Sequence, residues 1–318
     1  MSTRFHPAVG CDMALFASVA ASAQGLEGPP AHIGQFTLPT STIYQGIQFG
    51  GLSAIDFDAR DGSFWAINDD RSQFGPARFH NLTLGCTRSR FSGVTINSQT
   101  FMQTPGGGNF PALEVDPEAI RFDQSTGDFF RASEGERTTS LLQNPFVREM
   151  NPWGTFVRKL ATPSHYNPTF SGASGIRRNL AFESLTLSSN GLMVYAATEN
   201  ALFQDGPEAS PTSSTLSRVL GFDEATGAAT NEYLYECDAV AVPPIPAGNF
   251  ATSGLVEMPA ISDTEFLTVE RSFSNGVGFN VKIFLASIVG ATDINGMATA
   301  PAGAVTMSKT LAFDLGTL

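Results

Sequence analysis

Histidine and cysteine are scarce in this chain, and their scarcity removes much of the chemistry that 318 residues could carry. The four histidines are His6, His32, His80 and His165. The first two lie near the N-terminus, and His80 falls in the strand-like stretch "ARFHNLTL", where a structural role is expected. No serine stands in a G-x-S-x-G, so nothing singles out His80 or His165 as the base of a Ser-His-Asp triad. The three cysteines, Cys11, Cys86 and Cys237, form no C-x-x-C, which disfavours zinc. Cys86 and Cys237 either pair in an oxidising compartment or remain two buried thiols. Charged residues are only 15% of the chain and the net charge is −12, so nothing neutralises nucleic-acid phosphates and that class of partner is excluded. No P-loop or G-x-G-x-x-G occurs; "TPGGGNF" (104–110) reads as a connector. No stretch reaches the roughly 20 apolar residues of a transmembrane helix.

Phenylalanine, by contrast, is abundant: 26 residues in a chain that is 42% hydrophobic. With so little charge, the polar surface falls to Ser, Thr, Asn, Gln and Gly, a composition that favours strands over long charged helices. At the N-terminus, "MALFASVAASAQG" (13–25) is apolar and ends in Ala21-Ser22-Ala23, an A-x-A-like cleavage site. Residues 1–23 are therefore expected to be an export signal or a disordered leader, and the protein to be periplasmic or secreted. A propeller domain is expected over residues 34–318.

The propeller expectation comes from a repeat. Three segments align: "GLSAIDFDARDGSFWAINDD" (51–70), "DPEAIRFDQSTGDFFRASEG" (116–135) and "AFESLTLSSNGLMVYAATEN" (181–200). Each has an alternating apolar run, a glycine turn and a second alternating run that ends in an acid. The turn glycines Gly62, Gly127 and Gly191 are 65 and 64 residues apart. A degenerate fourth copy is "SGLVEMPAISDTEFLTVERS" (253–272), with Asp263 in the turn. Further strand pairs lie between, in "PFVREMNPWGTFVRKLATP" (145–163) and "STLSRVLGFDEATGAATNEYLYEC" (214–237). Four antiparallel strands per repeat at a steady period are the pattern of a β-propeller, here of five or six blades or an incomplete set of them.

In that geometry equivalent positions converge at one mouth of the central channel. Glu118 and Glu183, with Glu257 as a weaker third, precede the first strand of a hairpin; Asp69, Glu134, Glu199 and Glu270 follow the second. Antiparallel pairing puts both sets at the same end, as a ring of carboxylates. Such a ring needs a hard cation, and with only oxygen donors Ca²⁺ is expected ahead of Zn²⁺. Asn68, Asn179 and Asn200 are further candidate ligands. Arginines stand among the acids: Arg71, Arg177, Arg178 and Arg271, with Arg78 close by. Their forks match phosphate oxygens, or pair with the ring acids. A small anionic substrate such as a phosphate ester fits a mouth of acids, cations and arginines. The residues leave open a non-enzymatic propeller holding Ca²⁺ and a ligand, and a purely structural one.

These segments also carry a resemblance. "GGLSAIDFDARDGSFWAINDDRS", "DPEAIRF" with "SEG", "RRNLAFESLTLSSNG" with "ATENAL", "QDG" and "FLTVERSF" resemble the phytase-like domain family, described also as "esterase-like activity of phytase" proteins. The resemblance runs from about residue 46 to the C-terminus. It implies a propeller, often exported, related to β-propeller phytases that use Ca²⁺ to bind and hydrolyse phosphate esters. Carried over by position are Asp69, Asp70, Arg71, Glu118, Glu134, Arg177, Asn179, Glu183, Glu199, Asp205, Glu270 and Arg271. From these and the ring argument, Asp69, Glu118, Glu134, Glu183, Glu199 and Glu270 are expected to hold the metal. Arg71, Arg177 and Arg271 are expected to be catalytic, and Arg178, Asn179 and Asp205 to bind substrate. Family members continue past "KTLAFDL" into a hairpin of the type D-N-x-E-G followed by S-D-D-N, which is not found before Leu318. An open blade edge is expected there, with residues 34–49 supplying an N-terminal strand to the closing blade.

Overall fold

The computed structural model describes residues 31–317, so the expected leader and Cys11 lie outside the described residues. Among the described residues, apart from two short 3₁₀ turns, every regular element is a strand. Sixteen of the strands build four antiparallel four-stranded sheets. A small hairpin, Ile43–Tyr44 (β1) with Ile47–Gln48 (β2), precedes them. The first sheet takes Leu52–Asp58 (β3), Ser63–Asn68 (β4), Arg78–Thr87 (β5) and Arg90–Phe101 (β6), in that order. The second takes Pro117–Phe122 (β7) and Phe129–Ser133 (β8), then, after the minor pair Glu136–Arg137 (β9) and Leu142–Gln143 (β10), Phe146–Met150 (β11) and Phe156–Lys159 (β12). The third consists of Phe182–Leu187 (β13), Met193–Thr198 (β14), Thr215–Asp223 (β15) and Ala229–Cys237 (β16). The fourth consists of Ala251–Glu257 (β17), Glu265–Ser274 (β18), Gly278–Ser287 (β19) and Ser308–Asp314 (β20). The opening strands stand side by side, β3 on β7, β7 on β13 and β13 on β17, and the other strands of each sheet run outward. This is a β-propeller, as the repeat predicts. The described residues form four blades, where five or six were expected.

Local chemistry explains why the hairpins fall where they do. Gly62 and Gly127 turn at φ of +77° and +86°, a region that a Cβ disfavours, and each donates its N–H to an aspartate carbonyl four residues back, Asp58 and Asp123. Alternation then sends every second side chain to the neighbouring blade. Trp65 and Phe79 of the first blade meet Phe122 and Phe129 of the second, with Trp65 and Phe129 edge to face at 5.0 Å. Tyr195 and Phe266 make the same kind of contact between the third and fourth blades at 5.3 Å. Each fully buried aromatic contributes about 1.5–3 kcal/mol by leaving water, so these inter-blade seams carry much of the stability.

Residues 34–49 do not add a strand to another blade. Gln45 and Gly46 both have positive φ, which closes a tight two-residue turn and folds the segment into its own hairpin. Leu38 and Tyr44 pack with Phe49, Phe64 and Leu82 on the free face of the first blade. Cys86 and Cys237 do not pair: Cys86 is exposed on β5 and Cys237 is buried on β16, both as thiols.

Candidate functional site

The four hairpins enter the mouth with one register. Their first strands each carry a bulge, where one residue has no partner: between Leu52 and Ala54, Pro117 and Ala119, Phe182 and Ser184, and Leu255 and Glu257. The bulged residues are therefore Ser53, Glu118, Glu183 and Val256. A bulge re-aims the side chain it frees, which suits a site at a rim. Across from it, Asp69, Glu134 and Glu199 each donate the backbone N–H to the residue that leads the first strand: Gly51, Asp116 and Ala181, at 2.8, 2.9 and 2.6 Å. In the fourth blade the corresponding pair is Gly254 and Arg271.

This register corrects the reading of the fourth copy. Glu257 lies one residue past the bulge, and its carboxylate pairs with Arg121 instead of the ring. Glu270 lies one residue before the ring position and, because strand side chains alternate, faces the other way. It accepts from Tyr235 Oη at 2.6 Å and from the Asp238 N–H at 2.9 Å, and pairs with Lys309 at 2.6 Å. Arg271 occupies the ring position in its place.

Four of the expected ligands do converge. The carboxylate oxygens of Asp116, Glu118 and Glu134 lie within 4.8 Å of one another, as do those of Glu134, Glu183 and Glu199. Glu134 belongs to both groups and is fully buried. Its Oε1 accepts the Ala181 N–H at 2.6 Å, while Oε2 is buried with no hydrogen-bond partner. Asp116 was absent from the expected ligands although it stands in the "DPE" of the motif; only this copy has an acid where the others have Gly51, Ala181 and Gly254. Asp69 stands at the rim, exposed.

Burial and mutual repulsion together disfavour ionisation here. Burial first, then the charges of Glu183, Glu134, Asp116 and Asp69, push Glu118 well above the usual carboxylate range. Burial, with Glu183, Glu199 and Asp116 as neighbours, does the same to Glu134. Asp116 is pushed up to about 7 by burial, against the opposing pull of Arg71. Burial raises Glu183 to about 7 and Glu199 to about 8, and Arg271 pulls both down. Five carboxyls thus share a pocket that favours neutralisation by protons or by a cation.

The arginines differ in what they are free to do. Arg71 pairs with Glu136 at 2.9 Å and Asp116 at 3.4 Å, so it orients one wall of the cluster. Arg78 is buried against Asp70 at 2.7 Å and is structural. Arg177 does not face the cluster as a free cation. It donates to the carbonyls of Ala201 and Gly206, pairs with Glu208 at 3.1 Å and covers the Phe203 ring at 4.2 Å, bracing the 201–208 loop. Arg178 is 69% exposed, 3.6 Å from Glu136. Arg271 is exposed and forms no ion pair among the described residues.

Asp205 is not available to a substrate: it is bound at 2.6 Å to Arg218, both side chains fully buried, and it accepts the Ala300 N–H. Asn179 is exposed in a left-handed turn at φ +54°. Asn68 and Asn200 hold loop backbone. Their amide carbonyls accept from Asp70 and Ala209, and their amide N–H groups donate to Gly50 and Ser253, so neither offers a free ligand oxygen.

A family model described as "Phytase-like: Esterase-like activity of phytase" matches residues 47–318. No curated protein matches the chain. Among solved structures, the chain is similar to one described as the Dos1 propeller, at 7% identity and a TM-score of 0.37, covering 76% of this chain and 58% of that one. It is also similar to Kuenenia stuttgartiensis hydrazine synthase, at 10% identity and a TM-score of 0.39, covering 82% of this chain and 54% of that one. The chain thus spans little more than half the length of either.

Proposed function

The chain belongs to the phytase-like family, and from that membership we propose that it is an exported phosphoester hydrolase that works with Ca²⁺ held at the carboxylate mouth. The observation that carries this reading is the pair of carboxylate triads joined at Glu134, whose buried Oε2 has no partner within the protein. An unpartnered carboxylate oxygen among four other acids fits a hard divalent cation, because all the donors are oxygens and no histidine or thiolate is near. Asp116, Glu118, Glu134, Glu183 and Glu199 would hold it, with Asp69 at the rim. A cation bound there supplies charge neutralisation and Lewis acidity toward a phosphoryl oxygen.

The chain's own residues do the rest. Arg271 stands in the ring series where three blades carry acids, exposed and beside Glu183 and Glu199. Its fork donates to two oxygens of an anionic ester and gains as charge develops on them. Arg71 donates to Glu136 through Nη1 and attracts Asp116 across 3.4 Å, which draws that carboxylate toward its charged form. Arg178, 69% exposed beside Glu136, is a second guanidinium that an anionic substrate could meet. Arg177 and Asp205 support the surrounding loops.

The test is hydrolysis of phytate and p-nitrophenyl phosphate, with calcium and with a chelator, by wild type and Glu134→Gln. Calcium-dependent release of phosphate that the substitution abolishes is the expected result. Calcium binding without hydrolysis of either ester would assign the mouth to a non-enzymatic, ligand-binding propeller. Export rests on the Ala21-Ser22-Ala23 pattern. Expression with the leader should give a secreted or periplasmic protein whose first residue is at or near Gln24.

A further inference from the structure

On the second blade, three cations stand in one row across the sheet. Arg131 on β8 is paired in register with Arg148 on β11, and Arg148 with Lys159 on β12. Partners in register point to the same face, so the row is continuous. Arg131 is 1% exposed, yet its Nε and Nη1 have no hydrogen-bond partner. The Nε and Nη1 of half-buried Arg148 are likewise enclosed and unpartnered. Neither arginine forms an ion pair among the described residues. The acid beside Arg148, Glu149, points to the opposite face, where it pairs with Arg158.

What the two guanidiniums touch is aromatic. Arg148 lies 3.7 Å from the centre of the Phe146 ring, and Arg131 lies 5.3 Å from the same ring and 5.0 Å from Phe110. Phe156 closes the outer side at 5.8 Å from Arg148. Ring faces attract cations, but the attraction is smaller than the cost of taking a charge out of water, and two adjacent guanidiniums add repulsion. Burial and the neighbouring Arg148 accordingly depress Arg131 to about 9. Native proteins rarely bury a cation with no anion. Two planar forks walled by phenyl rings, with a lysine at the exposed end, match a tetrahedral oxyanion.

We propose that Arg131, Arg148 and Lys159 form a second site, on the second blade and apart from the carboxylate mouth, that binds a phosphate-class oxyanion. The anion reaches it from the Lys159 end, where the row is open to solvent. The site completes the electrostatics of the blade whether or not the mouth is catalytic.

The experiment is thermal unfolding in inorganic phosphate against chloride at equal ionic strength, with a chelator present so that no cation at the mouth recruits phosphate. Wild type should gain several degrees in phosphate, saturably. Arg131→Met replaces the buried charge by an apolar chain of similar length. It should match or exceed the wild-type midpoint in chloride and lose the phosphate gain. Arg148→Lys keeps the charge but not the fork, so the phosphate dependence should move to at least tenfold higher concentration; this variant decides the matter if Arg131→Met does not fold. Phosphate also stabilises proteins generally through exclusion from their surface, an effect that would be equal in all three proteins. Equal gains in wild type and both variants would therefore overturn the site, as would the absence of any gain in wild type.

Discussion

The carboxylate mouth ties stability to pH and to calcium in a way that can be worked through. In the folded protein Glu183 titrates near 7 against an ordinary 4.5, and Asp116 near 7 against 3.8. At about 1.4 kcal/mol per pH unit, each shift opposes folding at alkaline pH by on the order of 3.5–4.5 kcal/mol taken singly. The carboxyls repel one another, so their protons leave as a set and the contributions do not simply add. These are acids with raised folded values, so the folded state holds protons that the unfolded chain has already released. Stability without calcium therefore falls as pH rises from about 4.5 through about 8. Calcium should reverse the trend, because it replaces the protons. At 100 times its Kd it adds about 2.7 kcal/mol, with little effect at pH 5, where protons occupy the site, and the full effect at pH 8. Differential scanning calorimetry at both pH values, with calcium and with a chelator, measures all four corners. Glu134→Gln removes one repelling charge, so it should flatten the calcium-free profile and erase the calcium gain. A calcium gain of the same size at pH 5 and pH 8, or a calcium-free midpoint that does not fall between them, would refute the reasoning.

Other substitutions separate the roles of neighbouring residues. Arg271→Lys should lower kcat for a phosphate ester at least tenfold with little change in melting, because the charge stays and the fork is lost; Arg177→Lys should lower the melting temperature and leave kcat alone, since Arg177 braces a loop. Asp205→Asn removes one of the two carboxylates that hold the buried Arg218, the other being Glu232, and should cost about 1.5–3 kcal/mol in urea unfolding. Gly254→Ala puts a Cβ into the space that Glu199 Cγ occupies, so calcium affinity should drop while the circular dichroism of the β-sheet is unchanged.

Much of the fold was legible in the sequence because its signals are local. The glycine turns at Gly62, Gly127 and Gly191, and the alternation on either side of them, need no distant partner to be read. The fourth copy lacks that glycine. Its turn is reshaped by a bridge between Ala260 and Phe266, and the spacing slips by one residue. A slip of one in a strand exchanges its two faces, and so Glu270 was placed in the ring that Arg271 enters. The acids Glu118, Glu134, Glu183 and Glu199 were found because their copies keep the period. Asp116 was not, because no other copy has an acid there. The roles of Arg177 and Asp205 were hidden for a different reason. Their partners, Glu208 and Arg218, lie on other segments, and nothing in either residue's own neighbourhood shows that its charge is already satisfied. The N-terminal stretch 34–49 misled in the opposite direction: it was expected to supply a strand to the closing blade, as propellers often do, but Gln45 and Gly46 close it on itself.

The most direct measurement is a calcium titration by isothermal calorimetry at pH 8, on wild type and Glu134→Gln. Both triads share Glu134, so the account predicts saturable calcium binding to wild type and none, or at least 100-fold weaker binding, to the variant. Binding of equal affinity to the two proteins, or no binding to wild type at millimolar calcium, would contradict it.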